Sequence, residues 1–218
     1  MLYHCQRMTD DVELPPHLGL AVSFARASDR PFWQSLFLLD EELARAVDRV
    51  NEPIAGQIRL AWWRDRLVHT DHPERASVPI LRQILHLWSG SDGALVPLVD
   101  AWERILLAAP GEAEWFDAIA ARAEGLCAID KRIGGVGRSD ILRVSLELYT
   151  MADIALRHPE RRMKPPAISN IARSYTPRRA RPAAVLRELA VVSLATDQRF
   201  LASRRAILAA WRAGTFGW

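Results

Sequence analysis

Apolar residues recur along most of this chain at the three- and four-residue spacing of helices, and no segment shows the strict alternation of a half-buried strand. The clearest case lies before residue 50, where apolar residues follow one another at helical spacing: Phe32, Leu36, Leu39, Leu43 and Val47. Ser28 or Asp29 can cap this helix, with Pro31 in its first turn. The pattern predicts an all-α protein.

Breaks in this pattern divide the rest of the chain. Proline and acidic residues at 51–53 end the first helix, and "GGVG" at 134–137 is a second stop. We predict helices over 53–69, 78–88, 94–108, 112–133, 139–156, 183–194 and 197–213. Residues 1–28 are expected to be an N-terminal extension, and 157–182 an irregular segment rich in proline and arginine. Without a linker long enough to separate domains, the chain is predicted to form one antiparallel helical bundle over 1–218.

The helix that begins at Pro53 is apolar on two opposite sides of a helical wheel. One side carries Ile54, Ile58, Ala61, Trp62 and Val68, and the opposite side carries Gly56, Leu60, Trp63 and Leu67. A helix that is apolar on two opposed faces is usually buried between neighbours. We therefore expect this helix at the centre of the bundle.

Asp65 is unusual because it lies within the first of these apolar faces. A buried carboxylate without a partner is strongly destabilising, so we expect it to meet an arginine or a helix N-terminus. One interpretation is a core ion pair that fixes the register of the helix; the other is the wall of a polar cavity. Trp62 and Trp63 are likewise either core residues or a platform for a ligand.

The amino-acid composition does not point to a particular kind of binding site. With 29 basic and 26 acidic residues the net charge is only +3, which does not favour nucleic-acid binding. The run "RSYTPRRARP" at 173–182 is its sole support, and a solvated loop is the simpler interpretation. Cys5 and Cys127 lack zinc-ligand spacing and favour a reduced setting. No secretory signal and no membrane-spanning run are evident, so we expect a cytoplasmic protein with at most peripheral contact to an inner membrane.

The segment "NEPIAGQIRLAWWRDRL" at 51–67 resembles the "SEPMLGQIRLQWWREAL"-type signature of squalene/phytoene synthase-like proteins. It looks closest to the branch of the phytoene-synthase-type assembly factor of respiratory complex I. The preceding "DRPFWQSLFLLDEELARAVDRV" at 29–50 fits that branch, and "WFDAIAARAEGLCAIDKRIGG" at 115–135 is more loosely similar to another family helix. The resemblance fades after about residue 156. It implies an isoprenoid synthase fold, a helical bundle around a central cavity.

Enzymes of that family join two allylic diphosphates and hold Mg²⁺ with two aspartate-rich motifs. The first motif aligns with residues 44–48, where Ala44 and Arg45 stand in place of acids and only Asp48 remains. Asp48 and Glu52 are the one acid pair at a spacing of four, but the proline that follows Glu52 disfavours helical geometry there. Arg45 lies one turn from Glu41 and Asp48, so these three residues are open to pairing on one face.

The second motif aligns with residues 153–166. Asp153 stands at the family's asparagine, and Arg157 falls where the family has its essential aspartate. Both metal motifs are therefore degraded by comparison with the family.

Two main hypotheses follow. The first is a non-catalytic protein without a metal, which binds a protein partner from a membrane respiratory complex or an isoprenoid or lipid-like ligand. Its ligand-binding residues would be Arg59, Trp62, Trp63, Arg64, Arg161 and Arg162. The alternative is an atypical Mg²⁺-dependent prenyl transferase of the squalene/phytoene synthase type. In that case Asp48, Glu52 and Asp65 would be catalytic, and Asp48 and Glu52 would hold the metal.

Overall fold

The computed structural model describes residues 13–50, 52–69, 77–109, 113–159 and 175–217, and these form helices without a strand. The helices in chain order are α1 (Pro16–Ser23), α2 (Arg30–Asp48), α3 (Pro53–Val68), α4 (Pro79–Leu87), α5 (Val96–Leu107), α6 (Ala113–Leu126), α7 (Ala128–Arg132), α8 (Ser139–Arg157), α9 (Arg181–Thr196) and α10 (Arg204–Phe216). The all-α prediction is confirmed. None of the helices in these ranges is long and apolar enough to cross a membrane.

Several helix starts follow from proline. A proline occupies the first or second position of α1, α2, α3, α4, α5 and α9. Its fixed φ suits the first turn, where its missing N–H is not needed. For this reason the predicted starts of the helices at 53 and 78 lie within one residue of those observed.

The predicted N-terminal extension is partly helical in the described structure. Within it lies α1, which packs against α2 and α9 and places Leu18 and Ala21 in the core at 0% exposure. The helix is only eight residues long, so it offers barely two turns of periodicity to a sequence pattern. Most of the segment predicted to be irregular, 160–174, lies outside the described residues.

Two other predicted helices have different bounds. The helix expected over 112–133 is broken at Cys127, whose N–H is shared between the carbonyls of Ala123 and Glu124 at 3.1 and 3.0 Å. The last helix begins at Arg204 rather than at 197, because Asp197 and Leu201 adopt left-handed backbone conformations with φ of 58° and 63°.

One hydrophobic core joins the described helices, and its largest fully buried side chains include four tryptophans: Trp33, Trp88, Trp102 and Trp115. Helices α5 and α6 are in close contact at Gly125. A Cβ atom there would lie 2.8 Å from the Cα of Leu98, so only glycine permits the contact.

Helix α3 does not lie at the centre, and this prediction was wrong. Its face with Gly56, Leu60, Trp63 and Leu67 is buried and packs mainly against α5. Its opposite face is exposed, with Ile54 at 67%, Ile58 at 65% and Val68 at 52%. Of the two apolar faces of α3, one is packed in the core and the other is exposed to solvent.

Candidate functional site

The charged residues of the interior begin with Asp40 on α2. Its carboxylate is fully buried and accepts two hydrogen bonds from Arg122 on α6, from Nε at 3.0 Å and from Nη2 at 2.6 Å. The indole N–H of Trp102 on α5 donates a third at 2.7 Å. Three helices are therefore held together around one buried carboxylate.

Arg122 continues this chain of ion pairs to α8. Its Nη1 lies 2.8 Å from Oδ2 of Asp153, and its own exposure is 0%. The rings of Trp102 and Tyr149 lie 4.4 and 5.8 Å from its guanidinium carbon, so aromatic faces cover the charge. A buried guanidinium is stable only when it is paired in this way.

Arg157, one turn after Asp153, extends the network back to α2. Its Nε donates to Asp153 at 2.9 Å, its Nη1 donates to Asp48 at 3.2 Å, and its Nη2 donates to Glu41. His158 lies 3.3 Å from the other oxygen of Asp48. We call Asp40, Glu41, Asp48, Arg122, Asp153 and Arg157 the ion-pair cluster; all but Asp48 are buried or half-buried.

The cluster shifts the pKa values of its carboxyl groups in opposite directions. Burial raises the pKa of Glu41 to about 7, although the positive charge of Arg157 opposes the shift. Burial also acts to raise the pKa of Asp153, but Arg157 and Arg122 outweigh it and hold that pKa at about 2. Asp153 is therefore a permanent anion between two cations, whereas Glu41 titrates near neutral pH.

Two neutral polar groups border the cluster. Burial lowers the pKa of His17 to about 4 and raises the pKa of Tyr149 well above its ordinary value. The imidazole lies with its ring centre 6.0 Å from that of Tyr149. Neither His17 Nε2 nor the Tyr149 hydroxyl has a hydrogen-bond partner among the described residues. Both are therefore expected to stay uncharged at neutral pH.

The sequence-predicted metal ligands do not come together as a pair. Asp48 belongs to the cluster and binds Arg157 and His158, whereas Glu52 is exposed at the start of α3. Glu52 has an extended backbone, with φ of −122° and ψ of 126°, because it precedes Pro53. Arg45 also differs from expectation: it pairs with Glu42 at 3.3 Å, while Glu41 and Asp48 bind Arg157.

Asp65 is not buried, which corrects another prediction. Its side chain is 44% exposed, because it lies at the edge of the open face of α3. The expected arginine is present, but it is the adjacent Arg66, and His69 lies 3.4 Å away on the other side. Neither the core ion pair nor the cavity wall describes this residue.

The remaining candidate residues are dispersed. Trp63 is 2% exposed and belongs to the core, whereas Trp62 is half-buried and stacks beneath Arg66 with 5.0 Å from guanidinium carbon to ring centre. Arg64 binds Asp100 and Glu103 on α5 at 2.6 Å each, and Arg59 is exposed. Arg161 and Arg162 lie outside the described residues. The described residues of this set therefore do not form one site.

The cluster does not fit the Mg²⁺ that the family resemblance implies. Mg²⁺ takes oxygen ligands in nearly ideal octahedral geometry. Here the carboxylates of Glu41, Asp48 and Asp153 converge on the guanidinium of Arg157, a cation of the chain itself. What the arrangement does chemically is to neutralise acids from two helices.

Sequence reasoning missed Asp40, Trp102, Arg122 and Tyr149. A signal for two of them exists. Asp40 lies within the apolar stripe of α2, and Arg122 lies within the apolar stripe of α6. Opposite charges on the apolar faces of two helices indicate a buried pair. The same kind of position at Asp65 predicts a buried pair, but the Asp65 side chain is 44% exposed.

No protein-family model, no curated protein and no solved structure matches this chain. The functional assignment therefore depends on the residues and on the geometry described above.

Proposed function

We propose that this chain is a non-catalytic, binding member of the squalene/phytoene synthase-like proteins, with the antiparallel isoprenoid synthase bundle that the resemblance implies. The observation that carries the proposal is Arg157. It stands where the family has an essential aspartate, and its guanidinium binds the acids of α2 and α8. The protein would then act through its surface.

The charges in the cluster disfavour catalytic turnover of an allylic diphosphate. Ionisation of an allylic diphosphate places negative charge on the leaving group, which these enzymes stabilise with metal cations. In the cluster, Glu41, Asp48 and Asp153 already bind Arg157, and Arg157 would repel an incoming Mg²⁺. This supports a protein that lacks the metal clamp.

The open face of α3 supports a protein partner. We call Ile54, Ile58, Ala61, Trp62 and Val68 the outer face of α3; Trp62 is half-buried and the other four are exposed. A row of large apolar side chains on one surface helix is typical of a docking site. By contrast, Trp102, Arg122 and Tyr149 fill the interior between the helices, which favours a protein over an internal lipid-like ligand. The resemblance suggests a membrane respiratory complex as the setting.

Turnover can be tested with the purified chain. Incubation with farnesyl or geranylgeranyl diphosphate and Mg²⁺ should give no squalene-like or phytoene-like product above a heat-denatured control. Product that disappears in Asp48→Ala would overturn the non-catalytic assignment and establish the prenyl transferase alternative.

Docking can be tested by site-specific photo-crosslinking in the native cell. Benzoylphenylalanine in place of Ile58 should capture a subunit of a membrane respiratory complex, because Ile58 projects from the outer face of α3. The matched control replaces Glu124, an exposed residue of α6. Equal capture from both positions, or none from position 58, would contradict the proposed face.

A further inference from the structure

Helix α10 is oriented with its small residues inward and its large apolar residues outward. Ala206, Ala210 and Ala213 are at most 3% exposed, whereas Ile207, Leu208 and Trp211 are 49%, 66% and 53% exposed. The helix packs against α9. Burial of the large side chains would stabilise the fold more, so their exposure requires another explanation.

The buried side of α10 packs too closely against its neighbours for the helix to rotate about its axis. A Cβ atom at Gly214 would lie 2.3 Å from a ring carbon of Phe24, so this part of α10 is seated directly on an aromatic side chain. Small residues permit that approach. The packing of α10 therefore fixes which side faces solvent.

The same surface is basic. Between Asp197 and the C-terminus the chain carries four arginines, Arg199, Arg204, Arg205 and Arg212, and no acidic residue; of these, Arg212 lies 3.9 Å from Glu188 of α9. Arg204 and Arg205 are exposed and occupy the first turn of α10, where the helix dipole disfavours positive charge. Arginines that oppose the helix dipole and flank exposed apolar residues indicate attraction to an anionic surface.

Aromatic side chains border the apolar residues. The rings of Trp211 and Phe216 meet edge to face at 5.8 Å, and both side chains are about half exposed. Tyr175 is 53% exposed, and its ring lies near Gly217 at the end of the helix. Tryptophan and tyrosine with flanking arginine are typical of the boundary between lipid headgroups and acyl chains.

We propose that the outer face of α10, formed by Arg204, Arg205, Ile207, Leu208 and Trp211, binds the surface of an anionic lipid bilayer. The helix has 13 residues and is about 20 Å long, so it would lie in the interface with its apolar side chains among the headgroups. This inference does not depend on the outer face of α3.

The test is co-sedimentation of the purified full chain with lipid vesicles. It should pellet with vesicles of phosphatidylcholine and phosphatidylglycerol, more weakly as salt increases, and far less with phosphatidylcholine alone. Arg204→Glu with Arg205→Glu should weaken binding by roughly thirtyfold or more, since each arginine near an anionic surface contributes on the order of 1 kcal/mol. Leu208→Ser with Trp211→Ser should also release the protein.

Two matched control variants test whether vesicle binding is specific to the outer face of α10. Arg104→Glu with Lys131→Glu makes the same charge change on α5 and α7, and Ile54→Ser with Ile58→Ser removes two exposed apolar residues from α3. Both should bind vesicles like the parent. The inference is overturned if the parent ignores anionic vesicles, or if the α10 variants and the controls bind alike. Loss of crosslinking at position 58 with vesicle binding intact would count against the α3 proposal alone.

Discussion

Helices α2 and α3 are consecutive, and each carries an aspartate within an apolar face. Asp40 on α2 is fully buried and binds Arg122 and Trp102, whereas the Asp65 side chain on α3 is 44% exposed and binds the adjacent Arg66. An acid in an apolar stripe is therefore ambiguous. It marks either a buried ion pair or an apolar surface that faces solvent.

The rest of each helix explains the difference. On α2 the exposed or half-buried polar residues Gln34, Glu42 and Arg45 form one narrow strip, and most of the rest of the helix is buried, including the side that carries Asp40. On α3 two apolar sides compete, and the side with Gly56 and Trp63 packs on α5. A Cβ at Gly56 would lie 2.7 Å from Leu106, so glycine allows the closer approach. The outer face of α3 is left open.

Replacement of Arg122 should have the largest effect on stability. Arg122→Met leaves Asp40 and Asp153 without this partner inside the protein, so the free energy of unfolding should fall by roughly 5 kcal/mol, the upper end for breaking a buried ion pair. Urea denaturation measures this change. Asp65→Asn is the control and should cost on the order of 1 kcal/mol, because the Asp65 side chain is 44% exposed and the asparagine amide oxygen can still accept a hydrogen bond from the buried Arg66. Similar losses from both variants would show that the two aspartates do not differ as described.

Replacing each of the two tryptophans of α3 should distinguish its buried face from its outer face. Trp63→Ala should lower the free energy of unfolding by about 3–5 kcal/mol, since the side chain is 2% exposed in the core. Trp62→Ala should cost roughly half as much, because Trp62 is half-buried on the outer face. Equal losses, measured by the same denaturation, would mean that α3 is buried on both sides after all.

A smaller effect concerns Glu41, which follows Asp40 on α2. The folded state raises its pKa from 4.5 to about 7, chiefly by burial and against the opposing pull of Arg157. The stability that this group contributes is therefore complete below pH 4.5 and is lost as the pH rises through about 7. Glu41→Gln stays neutral, so its melting temperature relative to the parent should increase across this range. Calorimetry at several pH values checks this, and a difference independent of pH would contradict it.

The fold class and most helix positions could be predicted from the sequence, because helical periodicity and first-turn prolines are local signals. Helix α1 was missed because its eight residues hold too few repeats, and the delayed start of α10 depends on left-handed residues at Asp197 and Leu201. Which face of α3 packs depends on its contact with α5, and no local pattern contains that information.

The candidate site was less accessible to prediction. From the sequence, Asp153 and Arg157 stand out only as altered positions of a degraded metal motif, and their contact with each other and with Asp48 was not predicted. That Asp48 and Asp153 bind the same guanidinium depends on how α2 and α8 pack. The contacts of Arg122 on α6 with Asp40 and Asp153 likewise depend on tertiary packing. Arg59 and Arg64 could be named from the sequence, but their orientation toward solvent and α5 could not.

The central claim is that the chain's own arginines neutralise the acids of α2 and α8. Titration of the purified protein with Mn²⁺, followed by the electron paramagnetic resonance signal of the free ion, tests it most directly. We expect no stoichiometric binding at micromolar to low millimolar Mn²⁺, because Arg157 lies among Glu41, Asp48 and Asp153. One tightly bound ion per chain, lost in both Asp48→Asn and Asp153→Asn, would show that these carboxylates form a metal site instead.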